Sequence, residues 1–261
     1  MQNFKLLSII IVNFKSQHLL EKCVASVYQN LNNQNFEIIV VNNDEEHVLS
    51  EVKKKFPSLK ILQQSANIGY GRAANQGARL AKGELFLILN PDTELLSNLN
   101  AISEIFSDDL EVGALSPKLV DEHGKTQAWI AGEEISLLSL IRNNLGLSKK
   151  KKAWESVNKK EVGWVSGAAL FIRKEVFELA GGFDEKIFMY FEDVDLCKRL
   201  RNLGKKIIYL PDARIIHHGG KSFSEEKRKK NLYYASQEYY LRKHFGKSKA
   251  WILKILRLIF A

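Results

Sequence analysis

The stretch ELFLILNPD, residues 84–92, decides the fold because an unbroken apolar run stops abruptly at Asn-Pro-Asp. A strand with one face in water alternates apolar and polar side chains, whereas every position from 85 to 89 is apolar. Such a run is typical of a strand covered on both faces, as in a parallel sheet between two layers of helices.

The residues before this stretch repeat the alternation of apolar runs and helical patterns. The predicted strands are residues 6–14, FEIIVVNND (36–44) and LKILQQ (59–64). The predicted helices are HLLEKCVASVYQNL (18–31), HVLSEVKKKF (47–56) and GRAANQGARLAKG (71–83), the last with Gly83 as its C-cap. This alternation of strands and helices predicts an α/β fold with a mostly parallel central sheet.

The pattern becomes less regular after about residue 110. WVSGAALFIRKEVFELAGGF (164–183) predicts a strand, a helix and a Gly-Gly turn, and VDLCKRLRNLG (194–204) predicts a helix ending at Gly204. Further strands are predicted at 115–120, 205–211 and 213–220, and basic helices from 225 onward. Residues 130–153 lack a clear pattern and carry a lysine cluster, so we expect an exposed, mobile excursion there.

The composition is that of a folded protein of 261 residues, with 45% hydrophobic and 26% charged residues. The net charge of +9 leaves solvated surface, anionic lipid, an anionic substrate and nucleic acid open as explanations. Nucleic acid has the least support, because the basic runs lack interleaved aromatic residues and a known motif. Cys23 and Cys197 lie far apart without metal spacing, which indicates a reducing compartment and no disulfide. Neither a membrane span nor a signal peptide is expected.

Polar residues stand where three of the predicted strands end. They are Val12-Asn13, Asn42-Asn43-Asp44 and Asn90-Pro91-Asp92. Because open parallel sheets bind ligands at the carboxyl ends of their strands, these positions predict a binding site. Asn and Asp are also ordinary turn formers, which explains any one of the three ends but less well all three together.

The glycine-rich stretch NIGYGRAANQG (67–77) opens a helix, and a helix N-terminus favours phosphate. It lacks the spacing and the Lys-Ser/Thr pair of a P-loop, which argues against an ATPase. Residues 69–74 match the bare G-x-G-x-x-A spacing of a dinucleotide fingerprint, but they follow the third strand rather than the first. A dinucleotide-dependent oxidoreductase therefore remains an alternative with little support.

Seven patterns occur together in one order along the chain. They are SIIIVNF (8–14), EIIVVNND (37–44), NIGYGRAANQG (67–77), LNPDT (89–93), WVSGAALFIRKEVFELAGGFDE (164–185), MYFEDVDLCKRLRNLG (189–204) and HHGGKS (217–222). The chain thereby resembles the family 2 glycosyltransferases with a GT-A fold, over roughly residues 5–245, and most of all their bacterial rhamnosyltransferase-like branch. The resemblance implies an inverting transfer of rhamnose or another hexose from a nucleotide diphosphate sugar, assisted by Mg²⁺ or Mn²⁺.

The resemblance also assigns candidate catalytic and metal-binding residues. Asp193 matches the general base that deprotonates the acceptor hydroxyl, with Glu192 beside it. Asp92 matches the metal carboxylate, and His217 matches a late histidine near the metal or diphosphate, although His218 remains an alternative. Asp195 is expected to cap the helix that follows.

The remaining candidates are implied to bind the nucleotide and its sugar. They are Val12, Asn13, Asn42, Asp44, Asn67, Gly69, Arg72, Asn75, Asn90, Trp164, Ser166 and Gly167. Asn42 stands where the family usually has Asp, so an uncharged amide would contact the nucleobase of the donor. Uridine and thymidine diphosphates are favoured and guanosine stays open.

The resemblance implies a GT-A domain at 1–245, with a nucleotide-binding half to about 110 and an acceptor and catalytic half at about 111–224. Residues 246–261 form a separate amphipathic helix whose lysines suit an anionic membrane, although docking on the domain or a partner is an equal alternative. We therefore expect a cytoplasmic enzyme, peripheral on the inner face of the cell membrane, with a saccharide or polyprenyl-diphosphate-linked acceptor. A nucleotide-sugar-binding or scaffold protein without turnover remains the alternative function, and homo-oligomerisation stays open.

Overall fold

The computed structural model describes residues 4, 6–31, 34–97, 99–144, 152–219 and 226–260. Its strands are β1 (Leu7–Asn13), β2 (Phe36–Asn42), β3 (Lys60–Gln63), β4 (Leu85–Leu89), β5 (Thr93–Leu95), β6 (Val112–Val120), β7 (Ala131–Gly132), β8 (Lys160–Glu161), β9 (Trp164–Val165), β10 (Ala169–Arg173) and β11 (Lys206–His217). The main sheet has the order β3-β2-β1-β4-β10-β6-β11-β5, with β8 also pairing with β11. β7 and β9 form a second, two-stranded sheet.

The main sheet is mixed but mostly parallel, as the sequence predicts. β1 pairs in parallel with β2 and β4, β2 with β3, and β6 with β11. β5, β8 and β10 run against their neighbours. The direction of β10 could not be predicted, because its five residues are buried on both faces and therefore look like those of a buried parallel strand.

Helices cover the sheet and extend beyond it at the C-terminus. They are α1 (Gln17–Asn30), α2 (Ser50–Lys55), α3 (Tyr70–Leu80), α4 (Asn100–Asp108), α5 (Leu137–Asn144), α6 (Lys174–Leu179), α7 (Glu192–Asn202), α8 (Glu226–Phe245) and α9 (Lys247–Phe260). The small residues of α3 let it approach the sheet closely, since a Cβ on Gly77 would lie 2.6 Å from Ile10 Cγ2. This packing holds the glycine-rich stretch against β1.

Two expectations about helix ends and exposure are wrong in the described part of the chain. Helix α3 ends at Leu80, and Gly83 lies beyond it, where a Cβ would come within 2.7 Å of the Leu6 carbonyl oxygen. Residues 130–144 are not an exposed excursion, because Ile130 and Leu140 are buried and β7 pairs with β9. Buried apolar residues were too sparse there to form a sequence pattern. Residues 145–151, with most of the lysine cluster, lie outside the described residues.

The two C-terminal helices share an apolar cluster with α7. Phe191 and Val194 from the start of α7 pack with Tyr240 and Leu241 of α8 and Leu253 of α9. The expected basic helical extension is therefore present, although the boundary at residue 245 stays a prediction. Among the described helices, none is both long enough and apolar enough to cross a bilayer.

Candidate active site

The site lies at the edge of the main sheet where β1, β2 and β4 end. β10 runs in the opposite direction, so its first residue, Ala169, pairs with Leu89 at the end of β4. The Asn90 N–H also donates to the Ala168 carbonyl oxygen at 2.9 Å. The segment that precedes β10 is thereby held at the same edge as the Asn-Pro-Asp turn.

The start of α7 supplies two neighbouring carboxyl groups to this edge. Gly167 N–H donates to Asp193 Oδ2 at 2.9 Å, and Val194 N–H donates to Asp193 Oδ1 at 2.8 Å. A Cβ on Gly167 would lie 3.4 Å from the Asp193 Cβ, so the turn before β10 packs directly on the carboxylate. The structure thus brings together two candidates that lie 26 residues apart in the sequence.

The turn that leads into α7 has an uncommon backbone conformation. Tyr190 and Phe191 both have a φ of 66°, in the left-handed region that bulky residues rarely adopt. Phe191 is buried against Tyr240 of α8 at 5.5 Å between ring centroids, and Ser236 Oγ donates to the Met189 carbonyl oxygen at 2.7 Å. Contacts from α8 therefore hold the turn that presents the two acids. The aromatic residues Tyr190 and Phe191 before the two acids thus pack on helix α8.

Hydrogen bonding, rather than burial, distinguishes the proton affinities of the two neighbouring acids. Burial, together with the charge of Asp193, raises the pKa of Glu192 to about 8, and the Glu192 Oε2 atom has no hydrogen-bond partner among the described residues. Burial also raises the pKa of Asp193, but N–H donors from Gly167 and Val194 act in the opposite direction. We infer that Glu192 carries a proton at neutral pH while Asp193 is the ionised member of the pair.

Tyr70 joins the halves of the site and was absent from the sequence-based candidates. Its hydroxyl donates to the Gly167 carbonyl oxygen at 3.0 Å. Burial, and then the charges of Glu192, Asp193 and Asp92, raise the pKa of Tyr70 well above its usual value. Its position inside the glycine-rich stretch was the available sequence signal. The hydrogen bond itself could not be predicted from the sequence, because Gly167 lies 97 positions away.

Replacing Tyr70 with Phe is expected to lower kcat about tenfold, because one hydrogen bond that orients the Gly167 turn is lost. The Gly167 N–H would then support Asp193 less well, so the pKa of Asp193 should rise and the acid limb of the pH–rate profile should move to higher pH. Steady-state kinetics across pH check this. Tyr28→Phe is the matched control, because the Tyr28 hydroxyl bonds Ser58 at a distance from the site. An unchanged profile in the Tyr70 variant would contradict the role.

A carboxylate and an imidazole face each other at the end of β11. His217 Nε2 lies 3.4 Å from Asp92 Oδ1, which is too long for a strong hydrogen bond. Gln127 Nε2 donates to the His217 carbonyl oxygen at 2.5 Å, which turns its Oε1 toward His217 Nδ1 at 2.7 Å. His217 Nδ1 therefore carries the hydrogen in the neutral ring, and the lone pair on Nε2 points at Asp92.

This arrangement fits a divalent cation. His217 Nε2 and Asp92 Oδ1 are both hydrogen-bond acceptors 3.4 Å apart, so they need a proton or a metal ion between them. A histidine that binds a metal through one ring nitrogen typically makes a hydrogen bond through the other, as His217 does with Gln127. Burial raises the pKa of Asp92, but His217 and His218 outweigh it, so the net pKa is below the usual value and the carboxylate is ionised. A carboxylate oxygen and an imidazole nitrogen suit Mn²⁺ better than Mg²⁺, which prefers oxygen alone.

The neighbouring histidine has different partners. His218 Nε2 lies 2.7 Å from Glu94 Oε1, and its Nδ1 lies 2.7 Å from Glu122 Oε1. Of the two sequence candidates, His217 is therefore the one whose side chain reaches Asp92. Gly220 and Ser222 of the same motif lie outside the described residues.

The ends of β1 and β2 form a network of amides. Asn13 and Asn42 are register partners, and Asn13 Nδ2 donates to Asn42 Oδ1 at 2.8 Å. The Asn42 amide in turn donates to the His47 carbonyl oxygen at 2.6 Å and to Gln63 Oε1 at 2.8 Å. A contact from Asn42 to a base stays a prediction, and its observed partners give it a supporting role. Val12, also predicted, is buried in the core beside them.

Asn43 links the end of β2 to the glycine-rich stretch. Its Nδ2 donates to Asn67 Oδ1 at 2.9 Å, and its Oδ1 accepts the Ile68 N–H at 3.0 Å. Gly69 follows with a φ of 88°, and a Cβ there would lie 2.8 Å from the Phe188 carbonyl oxygen. Asn67 and Gly69, both predicted site residues, thus shape the start of α3, while Asn43 was not among the individual residues assigned to nucleotide binding.

Arg72 and Asn75 have their partners in the segment between α6 and α7. Arg72 Nε lies 3.5 Å from Glu185 Oε2, and its side chain is about half exposed. Asn75 Oδ1 accepts the Phe183 N–H at 2.8 Å, and its Nδ2 donates to the Phe183 carbonyl oxygen at 2.9 Å. Their predicted contacts with the donor stay predictions, because both side chains have protein partners in this arrangement.

Trp164 and Ser166 line the segment that leads to Gly167. The Trp164 ring packs on β7, where a Cβ on Gly132 would lie 2.4 Å from the indole Nε1. Ser166 Oγ accepts the Ala168 N–H at 3.2 Å, which tightens the turn. These contacts are structural, and sugar contacts for both residues stay predictions.

Asp44, Glu46 and His47 form a second group whose ligand atoms lie within 4.8 Å of one another. Asp44 Oδ2 already lies 2.9 Å from His47 Nδ1, and Glu46 Oε2 lies 2.8 Å from Lys15 Nζ. Because a lysine supplies positive charge there, Asp92 and His217 remain the better-fitting pair for a metal. The predicted nucleotide contact of Asp44 is untested by these contacts.

Asp195 does not cap α7, contrary to expectation. It is fully buried and accepts from Arg199 Nε at 2.8 Å and from Lys243 Nζ at 2.7 Å, with His244 Nε2 also at 2.7 Å. Burial raises its pKa, but these partners outweigh burial and lower the pKa to about 2. Asp195 therefore anchors α7 to α8, which sequence reasoning could not find because its partners lie 48 and 49 positions away.

Comparisons with known proteins identify the family of this chain. A family model described as glycosyl transferase family 2 matches residues 8–155, more than half of the chain. The chain is 29% identical over 236 residues to N-acetylglucosaminyl-diphospho-decaprenol L-rhamnosyltransferase of Mycobacterium tuberculosis, covering 81% of this chain and 76% of that one. It is 27% identical over 230 residues to rhamnosyltransferase WbbL of Escherichia coli, covering 82% and 85%.

The fold is also similar to that of a solved glycosyltransferase. The structure of GalNAc-T7 with UDP, GalNAc and Mn²⁺ superposes with a TM-score of 0.64 at 19% identity. The match covers 83% of this chain but only 44% of GalNAc-T7. This likeness confirms the GT-A-like fold.

Proposed function

This chain belongs to glycosyl transferase family 2 and is a rhamnosyltransferase-like glycosyltransferase, and from that premise we propose its reaction. We propose that it moves rhamnose, or another hexose, from a pyrimidine nucleoside diphosphate sugar to a saccharide carried on polyprenyl diphosphate. The observation that carries the mechanism is the pairing of Asp193 with Gly167 at the sheet edge that also holds Asp92 and His217. The relatives named above support the sugar and the acceptor.

Asp193 acts as the general base. Its carboxylate takes the proton of an acceptor hydroxyl while that oxygen attacks the anomeric carbon, and the bond from carbon to the diphosphate breaks. Attack from the face opposite the leaving group inverts the configuration at the anomeric carbon. Asp193 is half-buried, and the hydrogen bonds from Gly167 and Val194 fix the orientation of its carboxylate.

Asp92 and His217 would hold the divalent cation, which stabilises negative charge on the departing diphosphate. The ionised state of Asp92 and the Nε2 lone pair of His217 are the features of this chain that suit that role. Glu192, kept neutral, adds no repulsion toward the diphosphate.

Helix α9 supports contact with an anionic membrane, where lipid-linked acceptors lie. Trp251 and Ile252 are exposed on it, with Lys247, Lys249 and Lys254 also exposed, and its described part carries no acidic side chain. Exposed apolar residues among lysines suit the interface of anionic lipid. Side chains from residue 256 onward, including Arg257 and Leu258, lie outside the description.

A transfer assay tests the proposal. Purified protein with Mn²⁺ is given dTDP-rhamnose or a UDP-hexose and a polyprenyl-diphosphate-linked saccharide, and NMR reads the anomeric configuration of the product. We expect inverted product from one donor, and faster transfer when the acceptor lies in anionic rather than neutral vesicles. Donor binding without transfer to any acceptor would favour the scaffold alternative instead.

A further inference from the structure

Trp129 is an exposed indole on a strained backbone. Its side chain is 60% exposed, whereas its neighbour in space, Trp154, is 7% exposed. Its φ is 61°, in the left-handed region, which carries a conformational cost for a bulky residue. Strain of this kind persists only where surrounding contacts impose it, and it concentrates at functional positions.

One ring contact and two flanking backbone hydrogen bonds hold Trp129 in place. The rings of Trp129 and Trp154 lie 5.0 Å apart between centroids at an angle of 45°. Before it, the Gln127 N–H donates to the Leu119 carbonyl oxygen at 3.0 Å, and after it, the Ile130 carbonyl oxygen accepts from the Ser166 N–H at 2.8 Å. Trp129 is thus supported from beneath by a buried ring and fixed at both ends.

The same contacts place Trp129 between the two halves of the active site. Gln127, two residues before it, bonds His217. Ser166, which bonds the residue after it, precedes Gly167, the donor to Asp193. Because consecutive residues span at most about 3.5 Å each, the backbone of Trp129 lies within about 7 Å of that of Gln127.

We propose that Trp129 is a platform on which a pyranose ring of the acceptor stacks, one or more units away from the sugar whose hydroxyl reacts. A flat aromatic face offers a large, rigid surface to the C–H face of a sugar at low entropic cost. The inference rests on the proposed acceptor and deepens it. It requires an acceptor of at least two sugars, in contrast to the single N-acetylglucosamine in the name of the mycobacterial relative.

The position and composition of the surface favour a saccharide over a lipid chain. The platform is an indole backed by the Trp154 ring, and Lys152 Nζ lies 5.5 Å from the centroid of that ring, so a charged, hydrated group stands beside it. The exposed apolar residues that suit lipid, Trp251 and Ile252, lie on α9 instead.

The test compares Trp129→Gly and Trp129→Phe with wild type. Glycine removes the ring and accepts the left-handed backbone, so a loss of function cannot come from added strain. We expect the acceptor KM of the glycine variant to rise on the order of tenfold for a lipid-linked di- or trisaccharide and to stay unchanged for a lipid-linked monosaccharide. The donor KM should not move, and phenylalanine should restore most of the affinity. Leu110→Ala is the control for loss of an exposed apolar side chain, because Leu110 is 69% exposed and precedes the start of β6, at the opposite end of the strands from the site.

A binding measurement keeps the inference separate from the proposed reaction. Tryptophan fluorescence is titrated with lipid-free di- to tetrasaccharides of N-acetylglucosamine and rhamnose. Quenching in wild type and its loss in Trp129→Gly support the platform even if no donor is turned over, in which case the proposed reaction fails alone. No quenching by any of these sugars, an unchanged KM for the longer acceptor, or an equal loss for the monosaccharide acceptor would overturn it.

Discussion

Asp193→Asn is expected to lower kcat by about 10²- to 10⁴-fold, the usual contribution of a positioned general base. The amide has the shape of the carboxylate but cannot take a proton from the acceptor hydroxyl. One of its two ends can still accept from Gly167 or Val194, so the fold and donor binding should persist. Initial rates with saturating donor and acceptor, alongside donor affinity, check the result. A variant with wild-type kcat would remove Asp193 from the mechanism.

Glu192→Gln is the matched control, because Gln imitates a neutral carboxylic acid. Since the pKa of Glu192 is about 8, the wild-type side chain is already protonated at neutral pH, and the variant should keep kcat within about tenfold. The wild-type rate should fall as pH decreases through the pKa of Asp193, because a protonated base cannot accept the hydroxyl proton. Burial raises that pKa, so the acid limb should lie above the ordinary value of about 3.9.

Asp92→Ala is expected to abolish the metal-dependent part of donor binding and to lower kcat/KM on the order of a thousandfold. A metal ion contributes several kcal/mol to stabilising the departing charge, and each 1.4 kcal/mol is a factor of ten in rate. In a melting experiment, dTDP or UDP at a hundredfold over its Kd should stabilise wild type by about 2.7 kcal/mol when Mn²⁺ is present. The variant should lose this gain.

The control for this experiment is Glu122→Gln. Glu122 binds His218 rather than His217 and is largely exposed, so its loss should leave the metal-dependent stabilisation intact. If Asp92→Ala melts with the same Mn²⁺-dependent gain as wild type, the cation binds elsewhere, and the group of Asp44, Glu46 and His47 becomes the next candidate.

The features predictable from the sequence were those that reside in one segment. The apolar run at 85–89 and the polar residues after it predicted both the strand and the edge that holds Asp92. VDLCKRLRNLG (194–204) likewise predicted a helix, and α7 spans Glu192–Asn202.

The features that were missed depend on contacts between distant segments. In the sequence, nothing distinguishes Tyr70 from other aromatic residues, and only the structure shows that its hydroxyl donates to the Gly167 carbonyl oxygen. Gln127 has no motif, and its role arises from two hydrogen bonds to His217 across 90 positions. Asp195 looked like a helix cap because the sequence near it contains no hint of Lys243. Contacts between side chains from distant segments cannot be predicted from the local composition or periodicity of the sequence.

The reversed direction of β10 has a consequence for how such an enzyme diversifies. Ala169 pairs with Leu89 in the sheet. The distance between Asp92, the proposed metal ligand, and the Gly167 turn, which holds the proposed general base, is therefore set by backbone pairing and not by loops. We therefore expect substitutions around residues 130–144 and 152–160 to alter which acceptor is chosen while the reacting groups keep their separation. Engineering of new acceptor specificity should begin in those segments and leave the paired strands β4 and β10 unchanged.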